Sequence, residues 1–299
     1  MRRAYRAAAA GCAEVVSRVP SLERPFVRLG ARAWSRPLIG RFYRSTADRL
    51  AVRLRRRGAP FRRLVVAGVP LVLDVTEFTT STLYFGGVGY EPRTTACLAR
   101  ALTDGSVFVD VGANHGYFTV LAAALVGPAG RVVAFEPNPA VFEQLQTHVR
   151  LNGFEARVTA IRAALADAPQ DDVPLFVSTA PGNSGLSSLV PEPVTIALGG
   201  LSLDRTVPVR VDTFDRWFQA SGLAHIDVVK IDVEGAEDRV LAGMTASLAS
   251  KTIGVVLCET VWEGPAHRAL CGAGFVASRL ESFDRVCNIC YTRDGGRAA

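Results

Sequence analysis

Two acids and a glycine-spaced loop are the residues of this chain whose types and spacing most plainly suggest chemistry. The stretch Asp110-Val-Gly112-Ala-Asn114-His115-Gly116-Tyr-Phe-Thr119 follows an apolar run and opens a helical pattern. In that context a glycine-containing loop reads as a ligand cradle, because Gly112 and Gly116 leave space beside the backbone. Glu136 ends the next apolar run, 26 residues after Asp110. A carboxylate there can accept both hydroxyl protons of a ribose. Asp110 would repel a pyrophosphate and attract an ammonium group. The pattern therefore fits a ligand with a ribose and an amino-acid tail but no phosphate. S-adenosylmethionine is such a ligand, and NAD is not. The third glycine of a dinucleotide loop is also missing, since position 115 is His and 117 is Tyr.

A second group of acids closes a later apolar run: Val229-Lys-Ile-Asp232-Val-Glu234-Gly-Ala-Glu237. If a methyl group were moved to a hydroxyl, a base would have to take the hydroxyl proton. His115, Asp232, Glu234 and Glu237 are the candidates, and Asp232 comes first because it ends a strand beside the cofactor loop. Structural roles compete with these. Glu234 and Glu237 could open a helix and meet its dipole, and His115 could face solvent beside the loop. Asp212 reads as a helix cap, and His225 and His267 as surface residues. No metal ligand is expected, because no His/Cys/Asp cluster has ligand spacing. Scattered carboxylates could still converge on magnesium. Cys287-Asn-Ile-Cys290 has no second pair and reads as a strand with thiols near a sheet.

The elements that would position these residues alternate. Apolar runs at 107–111, 131–135, 157–163, 227–231 and 253–258 read as buried parallel strands. Helical patterns at 119–126, 140–152, 236–248 and 267–273 separate them, and 275–280 with 286–292 reads as a closing antiparallel hairpin. The sum is an α/β three-layer sandwich with a mostly parallel sheet. Residues 1–62 read as a basic, mainly helical N-terminal extension, with segments broken at Pro20, Pro25 and Pro37. Residues 63–106 read as a hairpin turning at Gly68-Val69-Pro70, an ordered loop over 76–90 and a helix. The main domain is 107–293, interrupted by an insertion or lid over 168–206, and 294–299 is a tail.

Apolar residues make up 49% of the 299, enough for a sizeable core, and the net charge is +6. That charge is unevenly spread. Residues 1–63 hold seventeen arginines and three acids, a balance of +14, which leaves −8 on the rest. The basic segment could meet an anionic membrane surface or an acidic partner, or could simply be a solvated helical face. Nucleic acid is disfavoured as a partner, because the fourth apolar run ends Ile231-Asp-Val-Glu and not in the Asn/Asp-Pro-Pro-aromatic sequence that typifies amino-methylation of bases. The start lacks the apolar stretch of an export signal, so the cytoplasm is the expected compartment, with a membrane-peripheral position open.

Three motifs together carry a resemblance. Val107–Thr119, Val133-Ala-Phe-Glu-Pro-Asn-Pro and Val229–Glu237, in that order, resemble the FkbM family of S-adenosylmethionine-dependent methyltransferases, from about Glu91 to Tyr291. The resemblance implies a Rossmann-like class I methyltransferase sheet of seven strands. It implies that Asp110, Gly112, Asn114 and Gly116 form the cofactor loop, that Glu136 binds ribose, and that Ala164 lies in the region lining adenine. It also places Asp232 near the transferred methyl, and implies O-methylation of a small-molecule or glycan hydroxyl on a secondary metabolite, glycolipid or saccharide. The alternatives are methylation of RNA or protein, and a non-catalytic S-adenosylmethionine-binding module. Asn183–Ser188 also resembles the family and could bind a hydroxylated acceptor or form a plain turn. Tyr84, Phe85 and Tyr90 could cover the cofactor or pack locally.

Overall fold

A computed structural model describes residues 2–33, 36–87, 90–178, 186–190, 203, 205–283 and 286–293. They form two compact units, Met1–Pro92 and Arg93–Ala299.

The first unit contains α1 (Arg2–Arg18), α2 (Glu23–Ala33), α3 (Pro37–Arg56), β1 (Phe61–Val66), β2 (Val69–Asp74) and α4 (Phe78–Gly86). Ala9, Ala13 and Val16 of α1 and Tyr43, Ala47, Leu50 and Leu54 of α3 are buried at the three- and four-residue spacing of packed helices. Pro37 begins α3, but Pro25 sits in the first turn of α2, where its missing N–H has no partner to lose. The expected break at Pro25 therefore does not occur. The hairpin turns at Ala67-Gly68, both with positive φ (48° and 84°), so Val69 and Pro70 belong to β2.

The loop expected over 76–90 is largely the helix α4. Its threonines have weak helix propensity, and packing overrides it: Phe85 is fully buried and Thr80 Oγ1 bonds back to the carbonyls of Asp74 and Glu77. Residues 1–62 are not a separate extension either. Glu23 of α2 binds Arg62 of β1 (2.5 and 2.8 Å) and the Tyr84 hydroxyl of α4 (2.5 Å), joining helices and hairpin in one unit.

The second unit begins at α5 (Pro92–Ala101) and continues β3 (Val107–Val111), α6 (Tyr117–Leu125), β4 (Arg131–Phe135), α7 (Pro139–Leu151) and β5 (Val158–Ile161). Then come β6 (Ala164–Leu165), β7 (Gln170–Val177), β8 (Ser187–Ser188), β9 (Arg205–Asp212) and α8 (Phe214–Ser221). The last group is β10 (Ile226–Ile231), α9 (Glu237–Ala242), α10 (Thr245–Ala249), β11 (Ile253–Thr260), α11 (Pro265–Gly272), β12 (Val276–Phe283) and β13 (Val286–Thr292). The boundary falls before α5 rather than at 106/107, because α5 packs on the sheet: Cys97 Sγ lies 3.3 Å from Cys290 Sγ of β13.

The sheet has seven strands in the order β12-β13-β11-β10-β3-β4-β5. Only β13 runs against its neighbours. This is the α/β class I architecture that the resemblance implied. Strand order reverses between β3 and β10, and ligands of open α/β sheets bind at the strand ends beside such a point. One face of the sheet (Val109, Val111, Val229, Ile231, Cys258) packs on Phe214, Val240, Leu241, Leu248 and Leu270 of the helices α8 to α11. The other face carries Asp110 and Lys230 toward α6.

Two elements differ from expectation. The helix expected over 236–248 is split, because a Cβ on Gly243 would lie 2.0 Å from the Ala166 carbonyl. The chain turns there, and Asp215 of α8 accepts the amides of Ala246 and Ser247 at 2.8 Å to restart it as α10. The insertion over 168–206 is partly sheet: β7 and β9 pair antiparallel within a second sheet of order β6-β9-β7-β8. Asp212 is the last residue of β9, and Thr213 takes the cap of α8 instead, accepting the Arg216 amide at 3.2 Å.

Candidate active site

The site is built where β3, β4 and β10 end. Phe108, Val109 and Val111 are buried, so β3 is held by the core on both faces and Asp110 is carried into the interior, 1% exposed. Its Oδ2 accepts the Thr119 hydroxyl of α6 at 2.6 Å. Its Oδ1 is buried with no hydrogen-bond partner among the described residues. Burial pushes this carboxyl above the usual range, against the pull of Lys230 and Thr119.

After β3 the chain turns sharply. Gly112 has φ 81°, and a Cβ there would meet the Asp232 carbonyl at 1.9 Å. Gly116 has φ 84° and caps α6, where a Cβ would meet Leu145 of α7 at 2.5 Å. At both positions the protein itself takes the volume of a side chain, so the glycines are accounted for without a ligand. Asn114, also left-handed (φ 52°), donates its amide to Glu136 Oε2 at 2.9 Å and accepts the His115 amide on its Oδ1 at 2.8 Å. Glu136 Oε1 accepts the Asn138 amide at 2.8 Å. Glu136 thus uses one acceptor position on each oxygen to hold the loop, and a carboxylate keeps further lone pairs for a ligand. Burial lifts its carboxyl to about 7, opposed by those two amides.

The fourth-strand acids separate into distinct roles. Asp232 follows β10, and its amide continues the ladder to the Val111 carbonyl at 3.0 Å. Its Oδ2 accepts Lys230 Nζ at 2.8 Å. Lys230 is itself buried, faces Asp110 across the strand pair, and lies 4.9 Å from the centre of the Phe118 ring. Glu234 is half-buried in the loop before α9, with φ 56°, rather than in the helix. Glu237 opens α9, and its Oε1 accepts the amides of Val233 and Gly235 at 3.1 Å, so it closes the loop after β10. Burial raises its carboxyl to about 7 as well.

His115 is buried rather than facing solvent, and its carbonyl contacts His148 Nδ1 of α7 at 2.5 Å. Ala164 is buried in β6, paired with Val211 of β9. His225 is half exposed, whereas His267 is partly covered, with Nδ1 3.0 Å from the Tyr291 hydroxyl. Cys287 and Cys290 are three apart on one strand and so point to opposite faces of the sheet. Tyr84 and Phe85 pack inside the first unit, 4.9 Å apart by ring centres. Residues 183–185 of the Asn183–Ser188 segment lie outside the described residues.

Three contributors escaped sequence reading. Lys230 had a legible signal, an ionisable residue inside the apolar run Val228–Ile231, since a buried charge in a parallel strand requires a partner. Thr119 and Glu259 had none. Glu259 is the penultimate residue of β11, and its carboxylate comes within 4.8 Å of that of Asp232. Ser188 donates to the Glu234 carbonyl at 2.8 Å, fastening the insertion to the loop after β10.

Comparisons with known proteins identify the family. The model of the methyltransferase FkbM domain matches residues 110–284. Methyltransferase 1 of Beauveria bassiana is 30% identical over 152 residues, which cover 47% of this chain and 59% of the relative. The hexuronic acid methyltransferase AglP of Haloferax volcanii is 28% identical over 162 residues, covering 53% of this chain and 58% of the relative. The chain thus spans under two thirds of the length of the curated relatives it matches. The solved structure of the methyltransferase FkbM from Methylobacillus flagellatus is 15% identical and covers 90% of this chain and 58% of that one, with a TM-score of 0.41. The matched domain takes in the loop 112–116, the Glu136 strand end and the Lys230–Glu237 segment, over more than half of the sequence, and the chain belongs to the FkbM methyltransferase family.

Proposed function

We propose that this protein transfers a methyl group from S-adenosylmethionine to a hydroxyl of a saccharide, glycolipid or secondary metabolite. The observation that carries the donor is the buried Asp110 Oδ1, an acceptor with no donor among the described residues. Leaving such an atom unmade is costly unless a ligand completes it. The donor's ammonium group would do so, beside the loop 112–116, while its ribose diol donates to Glu136 and its adenine lies toward Ala164. Acids at these strand ends oppose the binding of a diphosphate wherever they are ionised.

When bound, the sulfonium supplies an already activated methyl group. The protein's part is to hold the acceptor in line, which can contribute ~7–11 kcal/mol, and to take its proton. Asp232 is suited to the second task. Lys230 holds one carboxylate oxygen, which fixes the side chain and leaves the other to accept the hydroxyl proton. His115 and Glu234 remain the alternative bases. A saccharide acceptor is supported by the relative named for hexuronic acid.

Calorimetry with S-adenosylhomocysteine and NAD, followed by incubation of saccharides with radiolabelled donor, tests this reading. Uptake of S-adenosylhomocysteine and label on a hydroxyl oxygen are expected. Binding of NAD in its place would overturn the donor assignment, and label on nitrogen would overturn the acceptor.

A further inference from the structure

The first unit carries a basic and partly aliphatic surface on α2 and the start of α3. From Arg24 to Ala47 the sequence holds six arginines and no acid. Arg24, Arg28, Arg32 and Arg36 are exposed and form no ion pair among the described residues. By contrast Arg18, Arg53, Arg55 and Arg62 of the same unit each reach a carboxylate. Among the unpaired arginines stand large aliphatic side chains left in water: Leu29 is 66% exposed, Leu38 78% and Ile39 57%.

We propose that this face docks on an anionic lipid bilayer, with Leu29, Leu38 and Ile39 entering the interface and the arginines meeting lipid phosphates. Mixed aliphatic and cationic character is what a surface-lying helix needs, since apolar burial and electrostatic attraction add. No described helix is long and apolar enough to cross a membrane, so the contact is interfacial. A polyanion such as RNA would use the arginines but has no use for exposed leucine and isoleucine. It would want aromatic platforms, and among the described aromatics of this stretch Phe26 stacks on Tyr43 at 4.4 Å and Phe42 meets Tyr5 edge-on at 5.7 Å.

The test is co-sedimentation of the full chain with vesicles of phosphatidylcholine alone or mixed with phosphatidylglycerol, across a salt series. Binding is expected to the mixed vesicles only, and to weaken as salt rises. Each arginine near the surface is worth about fivefold in affinity, so Arg28→Glu with Arg32→Glu should lose at least about tenfold. Leu38→Ser with Ile39→Ser should also weaken binding several-fold at unchanged charge. All four positions are exposed, so the variants should melt like the parent. Failure of the parent chain to bind mixed vesicles would overturn the proposal. So would equal binding to neutral ones, or binding untouched by the aliphatic pair and competed away by single-stranded RNA.

Discussion

Lys230 and Asp232 lie two residues apart at the end of β10, on the side of the sheet that faces α6, joined by a 2.8 Å bond from Nζ to Oδ2. The ammonium is buried and also faces Asp110 on β3. One cation therefore serves two carboxylates, one assigned to the donor and one to the acceptor's proton. This separates the charge that binds from the charge that reacts, since the second Asp110 oxygen and the second Asp232 oxygen are left for different partners.

Lys230→Met should destabilise the fold by about 3–5 kcal/mol in urea titration, because it leaves the buried Asp110 and the half-buried Asp232 without their cation. Adding Asp232→Asn should recover part of that stability without restoring turnover. A single variant as stable as the parent would show that the ammonium does not neutralise the acids.

Asp110→Asn removes the charge while keeping an acceptor for Thr119. Calorimetry should find the melting behaviour nearly unchanged and S-adenosylhomocysteine binding weakened by at least tenfold, in line with loss of a buried charge-assisted hydrogen bond of about 1.5–3 kcal/mol. Unaltered affinity would remove Asp110 from the donor site.

Asp232→Asn keeps an oxygen for Lys230 but cannot accept a proton. Donor affinity should stay within about tenfold while turnover falls by at least about a hundredfold, the contrast that separates a transition-state role from a ground-state one. Retained turnover would move the base to His115 or Glu234.

Glu136 and Glu237 carry carboxyls lifted to about 7 by burial, from an ordinary 4.5. A raised acid binds its proton more tightly in the folded chain. Its contribution to stability is complete below the unfolded value and is lost as pH rises through about 7. The ligand-free protein should therefore melt several degrees lower at pH 8 than at pH 6 in calorimetric scans. A ribose diol donates to ionised Glu136, so donor affinity should rise over the same interval, by up to about tenfold. A donor that binds more weakly at pH 8 would contradict the Glu136 assignment.

Gly112→Ala should destabilise the ligand-free chain by several kcal/mol, since a methyl group at 1.9 Å from the Asp232 carbonyl must displace the backbone of the neighbouring strand. If its only effect were on donor affinity, the packing account of this glycine would be wrong.

Local pattern alone determined a good deal of this protein. Runs such as Val107–Val111 and Ile226–Ile231 are apolar at nearly every position, and only a strand buried on both faces accepts that, so the sheet and its acids could be read in order. What lay beyond local pattern needed neighbours distant in sequence. The α4 helix forms from threonines because Phe85 finds a core. The break before α10 follows from a carbonyl 77 residues upstream at Ala166. Asp212 yields its expected cap to Thr213 by a single residue of register. The roles of the acids were decided in the same way. Asp110, Glu136, Asp232 and Glu237 look alike as letters, yet one has an oxygen without a partner, one holds a loop, one is paired to lysine and one closes a turn. A carboxylate's chemistry is set by what surrounds it, and only tertiary structure supplies those surroundings.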